Sequence, residues 1–319
     1  MPIEYKEING PLAERMLARQ NKAIYPDLFV QHGPGKCFLP KYYSDHSDFI
    51  DNFEVRDDDL WLVSFVKAGT TWTKEMAWLI GNDLDYERAK QFAYMRFPYF
   101  EFDATWSVDM STYKLERKND ANGATPNTMQ IVQNMKSPRF IQSHLPWSML
   151  PKQIRNGEKK PKMIYVARNP KDVCVSFYHH RVLIEGYFGS MDDHVEEFTN
   201  DLEFWERKND PNVLFITYEE LKQDLSKVVD RATEFLGKPI SDEDKQVLLN
   251  HLSFESMKSN PYVNNDEVTN LLTKVHGVAR QSHFIRKGKV GSWKEELSEE
   301  SQQKINEWFV KNKIDGLWD

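Results

Sequence analysis

Apolar residues along the chain gather in short runs bounded by polar or turn residues. Leu60-Trp61-Leu62-Val63-Ser64-Phe65-Val66 follows the acidic turn Asp57-Asp58-Asp59 and predicts a buried strand by its length and composition. Met163 to Ala167 and Val213 to Tyr218 predict two more, and Arg139 to Ser143 a short one that ends at His144. Between these runs the pattern becomes helical. Thr70 to Ile80 reads as a helix with Met76, Ala77 and Ile80 on one inner face. A second helix runs from about Lys171 to Val182, and a polar one starts at Glu219. Strands alternating with helices predict an α/β fold, a three-layer sandwich around a mainly parallel central sheet. Residues 1–50 lack such a period and are broken by Gly10-Pro11, Gly33-Pro34-Gly35 and Pro40. They predict an irregular N-terminal arm packed on a single domain spanning 1–319. Polar sequence around Asn119 to Asn127 predicts a loop.

A length of 319 residues also leaves room for two domains, but nothing in the sequence divides the chain. Lys plus Arg is 42 and Asp plus Glu is 49, a net charge of −7, which argues against a nucleic-acid partner. A local basic pocket for a small anion remains compatible with that balance. No apolar run approaches the roughly 20 residues that span a bilayer, and the first residues hold no secretory signal, so no membrane partner is expected. Cys37 and Cys174 are the only cysteines. With no disulfide framework and no Cys-x-x-Cys pair, the expected setting is the reducing cytoplasm, and no metal site is expected.

Ligands of parallel sheets sit at the carboxyl ends of the strands, where Lys67, His144, Arg168 and Tyr218 all fall. Lys67-Ala68-Gly69-Thr70-Thr71-Trp72 is a small-residue loop between strand and helix, so its N–H groups can converge on a phosphate at the positive helix end. The lysine precedes the glycine, unlike the P-loop G-x-x-x-x-G-K-[ST], which disfavours a nucleotide kinase. An ordinary strand–turn–helix joint is the competing reading. Arg168 leaves a second strand, with Ser176 eight residues on, and an Arg fork plus a hydroxyl can hold a terminal phosphate. Pairing of Arg168 with a surface carboxylate is the alternative. Between Arg280 and Lys294 five basic residues and no acid surround Gly288 and Gly291, which fits an anion or a solvated loop. His144 stands where a general base would, or is a structural histidine.

Together these segments resemble the cytosolic sulfotransferase family, in a style closest to insect members. Phe65 to Trp72 matches its 5′-phosphosulfate loop, Tyr165 to Tyr178 its 3′-phosphate segment, and Arg286 to Lys294 its C-terminal Arg-Lys-Gly-x-x-Gly-x-Trp-Lys. The resemblance runs from about residue 25 to the C-terminus. It implies transfer of a sulfuryl group from 3′-phosphoadenosine 5′-phosphosulfate (PAPS) to a hydroxyl or amine, leaving adenosine 3′,5′-bisphosphate (PAP). It implies a catalytic set of His144, Lys67 and Ser176, with His144 as base and Lys67 stabilising the leaving phosphate. The loop from Ala68 to Trp72 would cradle that phosphate. Arg168, Ser176, Arg286, Lys287 and Gly288 would hold the 3′-phosphate. Trp72 and Phe254 would sandwich adenine, with Tyr218, Leu252, Ser253 and Phe284 completing the nucleotide contacts. The acceptor would lie against Tyr99, Phe100, Gln142, His144 and His180, an aromatic lining that suits a phenol, steroid or other flat alcohol.

Three positions depart from the family pattern. Gln142 stands where the family often has Lys, Ala68 where it has Ser, and Leu252 where it usually has Thr. The family's dimer motif is poorly matched at Lys294, Ser298, Glu299 and Gln303, so a homodimer is left open. Two other functions stay in view. One is a dehydratase that sulfates an allylic alcohol and expels sulfate; the other is a nucleotide- or hydrophobe-binding protein that has lost transfer.

Overall fold

The computed structural model describes residues 5–22, 25, 29–33, 37–106, 127–198, 206–275, 280 and 282–311. Most of the loop predicted around Asn119 to Asn127 lies outside them; Asn127 itself caps helix Thr128–Asn134 with a capping box to Gln130. In the N-terminal segment, β1 (Tyr5–Glu7), β2 (Phe29–His32) and β3 (Cys37–Pro40) pair antiparallel in the order β1-β2-β3. Helix Pro11–Arg19 lies between the first two. The expectation of an irregular arm is therefore corrected. Strands of three or four residues carry too little alternation to be read, and they are held by pairing with one another.

The central sheet is β4 (Leu60–Ser64), β5 (Phe140–Ser143), β6 (Lys162–Ala167) and β7 (Val213–Thr217), all parallel, in the order β5-β4-β6-β7. The order fits right-handed crossovers through helices on both faces. Successive side chains divide between the faces. Leu60, Leu62, Ile164, Val166, Leu214 and Ile216 pack with helices Thr70–Gly81 and Leu225–Leu236. Trp61, Val63, Met163 and Tyr165 pack on the other face with Tyr43, Ile50 and Phe53. This is the predicted three-layer α/β arrangement. The helix after β6 spans Pro170–His180 and continues as a π-helical turn, Arg181–Glu185, that ends on left-handed Gly186.

At the end of the sheet away from the site, Arg139 and Asp59 form a fully buried pair, with bonds of 2.7 and 2.6 Å. Arg139 also donates to Glu54 O at 2.8 Å, and Asp59 accepts from the backbone of Arg56 at 2.8 Å. Removing one member strands the other charge, a loss of roughly 3–5 kcal/mol. Asp59→Ala is therefore expected to lower the thermal midpoint by about 5–7 °C, read by calorimetry, with turnover of the folded fraction unchanged. A loss below about 1 kcal/mol would show the pair to be dispensable.

Candidate active site

The strand tips open on a cavity of about 740 Å³. From β4 the chain turns through Phe65 to Gly69 into helix Thr70–Gly81. Lys67 takes φ 67° and Gly69 φ 120°. A left-handed lysine costs on the order of 1–3 kcal/mol, so the surrounding fold imposes it. A Cβ on Gly69 would meet Tyr218 Cδ2 at 2.9 Å, so that position needs glycine for space as well as for conformation. Ser64 Oγ and Thr70 Oγ1 share a 2.7 Å hydrogen bond across the turn. Lys67 Nζ lies 3.8 Å from the centroid of the Phe284 ring. Burial, then repulsion from Arg168 and Arg286, push its pKa down to about 7.

Arg168 binds the segments to one another. Its guanidinium stacks 4.3 Å from the Tyr218 ring, donates to Lys289 O at 2.9 Å and lies 3.5 Å from Lys67 O. Its Nε is buried and without a partner. Asp172, fully buried one turn further on, accepts from Gly291 N, Ser292 Oγ and Trp293 N at 2.7, 3.0 and 3.2 Å. That clamp brings the basic C-terminal segment over the loop. Arg286 and Lys287 line the cavity and are held by Glu296 at 2.9 and 2.8 Å. Burial pushes Glu296 up, but hydrogen bonds from His179, Lys287 and Arg286 outweigh it and hold the carboxyl at about 2. Gly288, at φ 60°, lies against Phe254, where a Cβ would come within 2.3 Å of the ring. Trp72 and Phe254 both line the cavity, and Lys222 Nζ sits 5.7 Å from the first ring and 6.0 Å from the second.

His144 follows β5. Its Nδ1 lies 2.7 Å from Ser64 O, which accepts only, so Nδ1 carries the proton and Nε2 a lone pair. Its backbone N–H donates to Glu101 at 2.5 Å. Burial, together with the charges of Lys74 and Lys67, lowers the imidazole pKa to about 4. Tyr99 packs edge-on against the ring at 4.9 Å.

The residues expected at the site are brought together with three exceptions. Phe100 is fully buried against Phe53 and Trp61, at 4.6 and 5.5 Å, and is not in the cavity wall. Tyr99 bridges Gln142 as a strand would, so its neighbour faces the core. Ser253 is exposed and caps helix Phe254–Ser259. Ala68 is buried off the cavity wall, and its N–H donates to Phe65 O at 3.2 Å, so it offers an anion neither side chain nor backbone donor. Lys67, Gly69, Thr70, Thr71, Trp72, Tyr99, Gln142, His144, Arg168, Ser176, His180, Tyr218, Leu252, Phe254, Phe284, Arg286, Lys287 and Gly288 all line the cavity. Sequence reasoning missed Lys74, Glu101 and the N-terminal wall of Tyr25, Phe29, Phe38 and Leu39. Nothing in the sequence marks that wall, since Phe29-Val30-Gln31-His32 does not alternate between apolar and polar residues.

A buried lysine with no carboxylate in ion-pair distance among the described residues and an unpartnered Arg168 Nε, both facing one cavity with Arg286 and Lys287, fit a ligand with two separate anionic ends. Such a slot beside an oriented imidazole, at the tips of a parallel sheet, defines a nucleotide-dependent group transferase. Residues 57–316 match the sulfotransferase domain family, and the chain belongs to it. It is 39% identical over 296 residues to luciferin sulfotransferase of Photinus pyralis, across 89% of this chain and 79% of that one. To sulfotransferase 1E1 of Bos taurus it is 34% identical over 289 residues, across 85% and 87%. The structure of retinol dehydratase with androsterone and the inactive cofactor PAP superposes with a TM-score of 0.84 at 29% identity, over 100% of this chain and 98% of that one. The chain is thus an enzyme, a PAPS-dependent sulfotransferase.

Proposed function

We propose that the chain sulfates the hydroxyl of a small, largely apolar acceptor such as a phenol, steroid or other flat alcohol, with His144 as general base. The observation that carries this reading is the His144 tautomer: Nδ1 donates to Ser64 O, so Nε2 carries a lone pair for the hydroxyl proton, which the acceptor takes over from the Gln142 amide 3.1 Å away. When bound, PAPS supplies the sulfuryl group and departs as PAP. Lys67, with the N–H groups of Gly69, Thr70 and Thr71, would hold the 5′-phosphate end and offset its charge as the acceptor oxygen bonds to sulfur and the bond from sulfur to the phosphate oxygen breaks. Arg168, Ser176, Arg286, Lys287 and Gly288 hold the 3′-phosphate end, and Trp72 and Phe254 the base. Tyr99, Phe102 and Trp106 give the acceptor flat apolar walls, with Phe102 and Trp106 stacked at 5.6 Å. No helix of the described residues is long and apolar enough to cross a membrane. With neither Cys37 nor Cys174 in a disulfide, the cytoplasm is the proposed setting. We read the chain as one domain.

The likeness to retinol dehydratase favours a second reading, in which an allylic alcohol is sulfated and sulfate then expelled. Labelled sulfate offered from PAPS to a panel of phenols, sterols, retinoids and amines distinguishes them. Stable labelled esters of phenols or flat alcohols are expected. Loss of water from a retinoid, with free labelled sulfate, would favour the dehydratase, and tight PAP binding with no transfer to any acceptor would overturn both.

A further inference from the structure

A chain of hydrogen bonds runs from the interior of the protein to the proposed base. Lys74, on the second turn of helix Thr70–Gly81, donates from Nζ to Gln142 Oε1 at 2.8 Å. The Gln142 amide nitrogen lies 3.1 Å from His144 Nε2, and His144 Nδ1 donates to Ser64 O. Lys74 is only 7% exposed, and among the described residues no carboxylate reaches ion-pair distance of its Nζ. Below about pH 7, where burial and Arg96 still leave it protonated, Lys74 is an ammonium with donors and no acceptor. It therefore fixes the amide with its oxygen toward Lys74 and its N–H toward the imidazole. Ser64 O sets the same tautomer from the opposite side of the ring. Two independent contacts agree that Nε2 carries the lone pair.

We propose that Lys74 is a positioning residue for transfer, acting through Gln142 to hold His144 in the tautomer that can take the acceptor's proton. The proposal rests on His144 being the base. Once an acceptor hydroxyl takes the Nε2 lone pair, the displaced amide N–H stays beside the reacting oxygen as a polarised donor. Gln142, one cation fewer than a lysine at that position, is thereby backed by a cation one bond further away. Without Lys74 the amide is free to turn, and its oxygen would face Nε2 and draw a proton onto it.

The charged and titratable groups facing the imidazole are Lys67 from the loop after β4, Lys74 from the helix, Tyr99 edge-on to the ring, His180 from helix Pro170–His180 and Glu101, which takes the His144 backbone N–H. Lys74 itself faces Arg96 and its neighbour Glu75. Of these cations, Lys74 opposes protonation of His144 most strongly, so its removal lets the imidazole pKa rise.

The test compares Lys74→Met, Lys74→Arg, Gln142→Ala and the Lys74→Met/Gln142→Ala double variant. Histidine ring resonances of the nucleotide-free protein are titrated by NMR, and kcat is measured on an acceptor from the panel. Lys74→Met is expected to raise the His144 pKa by roughly one unit and lower kcat about tenfold to a hundredfold, with PAP affinity within about twofold of the parent. Lys74→Arg is expected to restore most of both. In the Gln142→Ala background, Lys74→Met is expected to change kcat by less than about twofold, because the route is already cut. An unmoved His144 titration with full kcat in Lys74→Met, or additive losses in the double variant, would overturn the proposal. If Lys74→Met does not fold, Gln142→Ala decides: an unshifted His144 with parental kcat is equally fatal. Full turnover in His144→Ala would instead remove the base reading itself.

Discussion

His144→Ala lowers kcat by about 10²–10⁴-fold, or roughly 3–5 kcal/mol in the barrier, and leaves PAP affinity within about twofold of the parent. The split follows from where the imidazole sits. Its bonds are to Ser64, Gln142 and, through the backbone, Glu101, and the residues placed around the phosphates do not depend on its side chain. Alanine keeps the backbone N–H that Glu101 accepts, so the end of β5 stays fixed. The pH profile of the parent is a second readout. Burial holds the imidazole near 4, so the base is neutral at every pH above about 5. The acid limb of kcat/KM is expected near pH 4 in place of the ordinary histidine value, and it is absent from the residual activity of His144→Ala. Equal losses of PAP affinity and turnover would make His144 a structural residue of the strand tip.

The parts of this site that could be read from the sequence are those carried by local pattern. β4, β6 and β7 are apolar runs buried on both faces, and such runs announce themselves without knowledge of partners. Lys67, His144 and Arg168 could be placed because each follows such a run directly. The clamp by Asp172 was out of reach, since its three donors lie about 120 residues further along the chain. Tyr99 and Phe100 illustrate a different limit. Both are aromatic and adjacent, and only the bridge to Gln142 decides which faces the cavity. Lys74 was invisible for a third reason. A lysine between Thr73 and Glu75 on a helix reads as a solvated face, and its partner is 68 residues away. Glu75 is buried for the same kind of reason, held by Arg96 and by His251 at 2.8 Å.

Lys67→Met is expected to lower kcat by about 10²–10³-fold, the scale for removing one preorganised charge from a developing anion. Methionine keeps an apolar stem beside Phe284, so the loop retains that packing while the charge goes. The linkage to pH gives the sharper test. In the nucleotide-free protein Lys67 loses its proton near pH 7, because burial and the charges of Arg168 and Arg286 oppose it. A phosphate beside it favours the ammonium. Binding above about pH 7 must therefore take up a proton, and affinity for PAP falls with rising pH, by up to about tenfold per unit for one linked proton. The ligand does not reverse the sign, since a terminal phosphate with a pKa near 6 is already fully ionised there. Lys74, also pushed down to about 7 by burial and Arg96, contributes a second, weaker dependence through its longer path to the anion. In Lys67→Met the slope of log Kd against pH should shrink without vanishing, and calorimetry in buffers of different ionisation enthalpy should count fewer protons taken up. A parent whose PAP affinity is flat from about pH 7 to 9 would mean that Lys67 is already fully charged before the nucleotide arrives, and that burial beside Arg168 and Arg286 does not strip its proton.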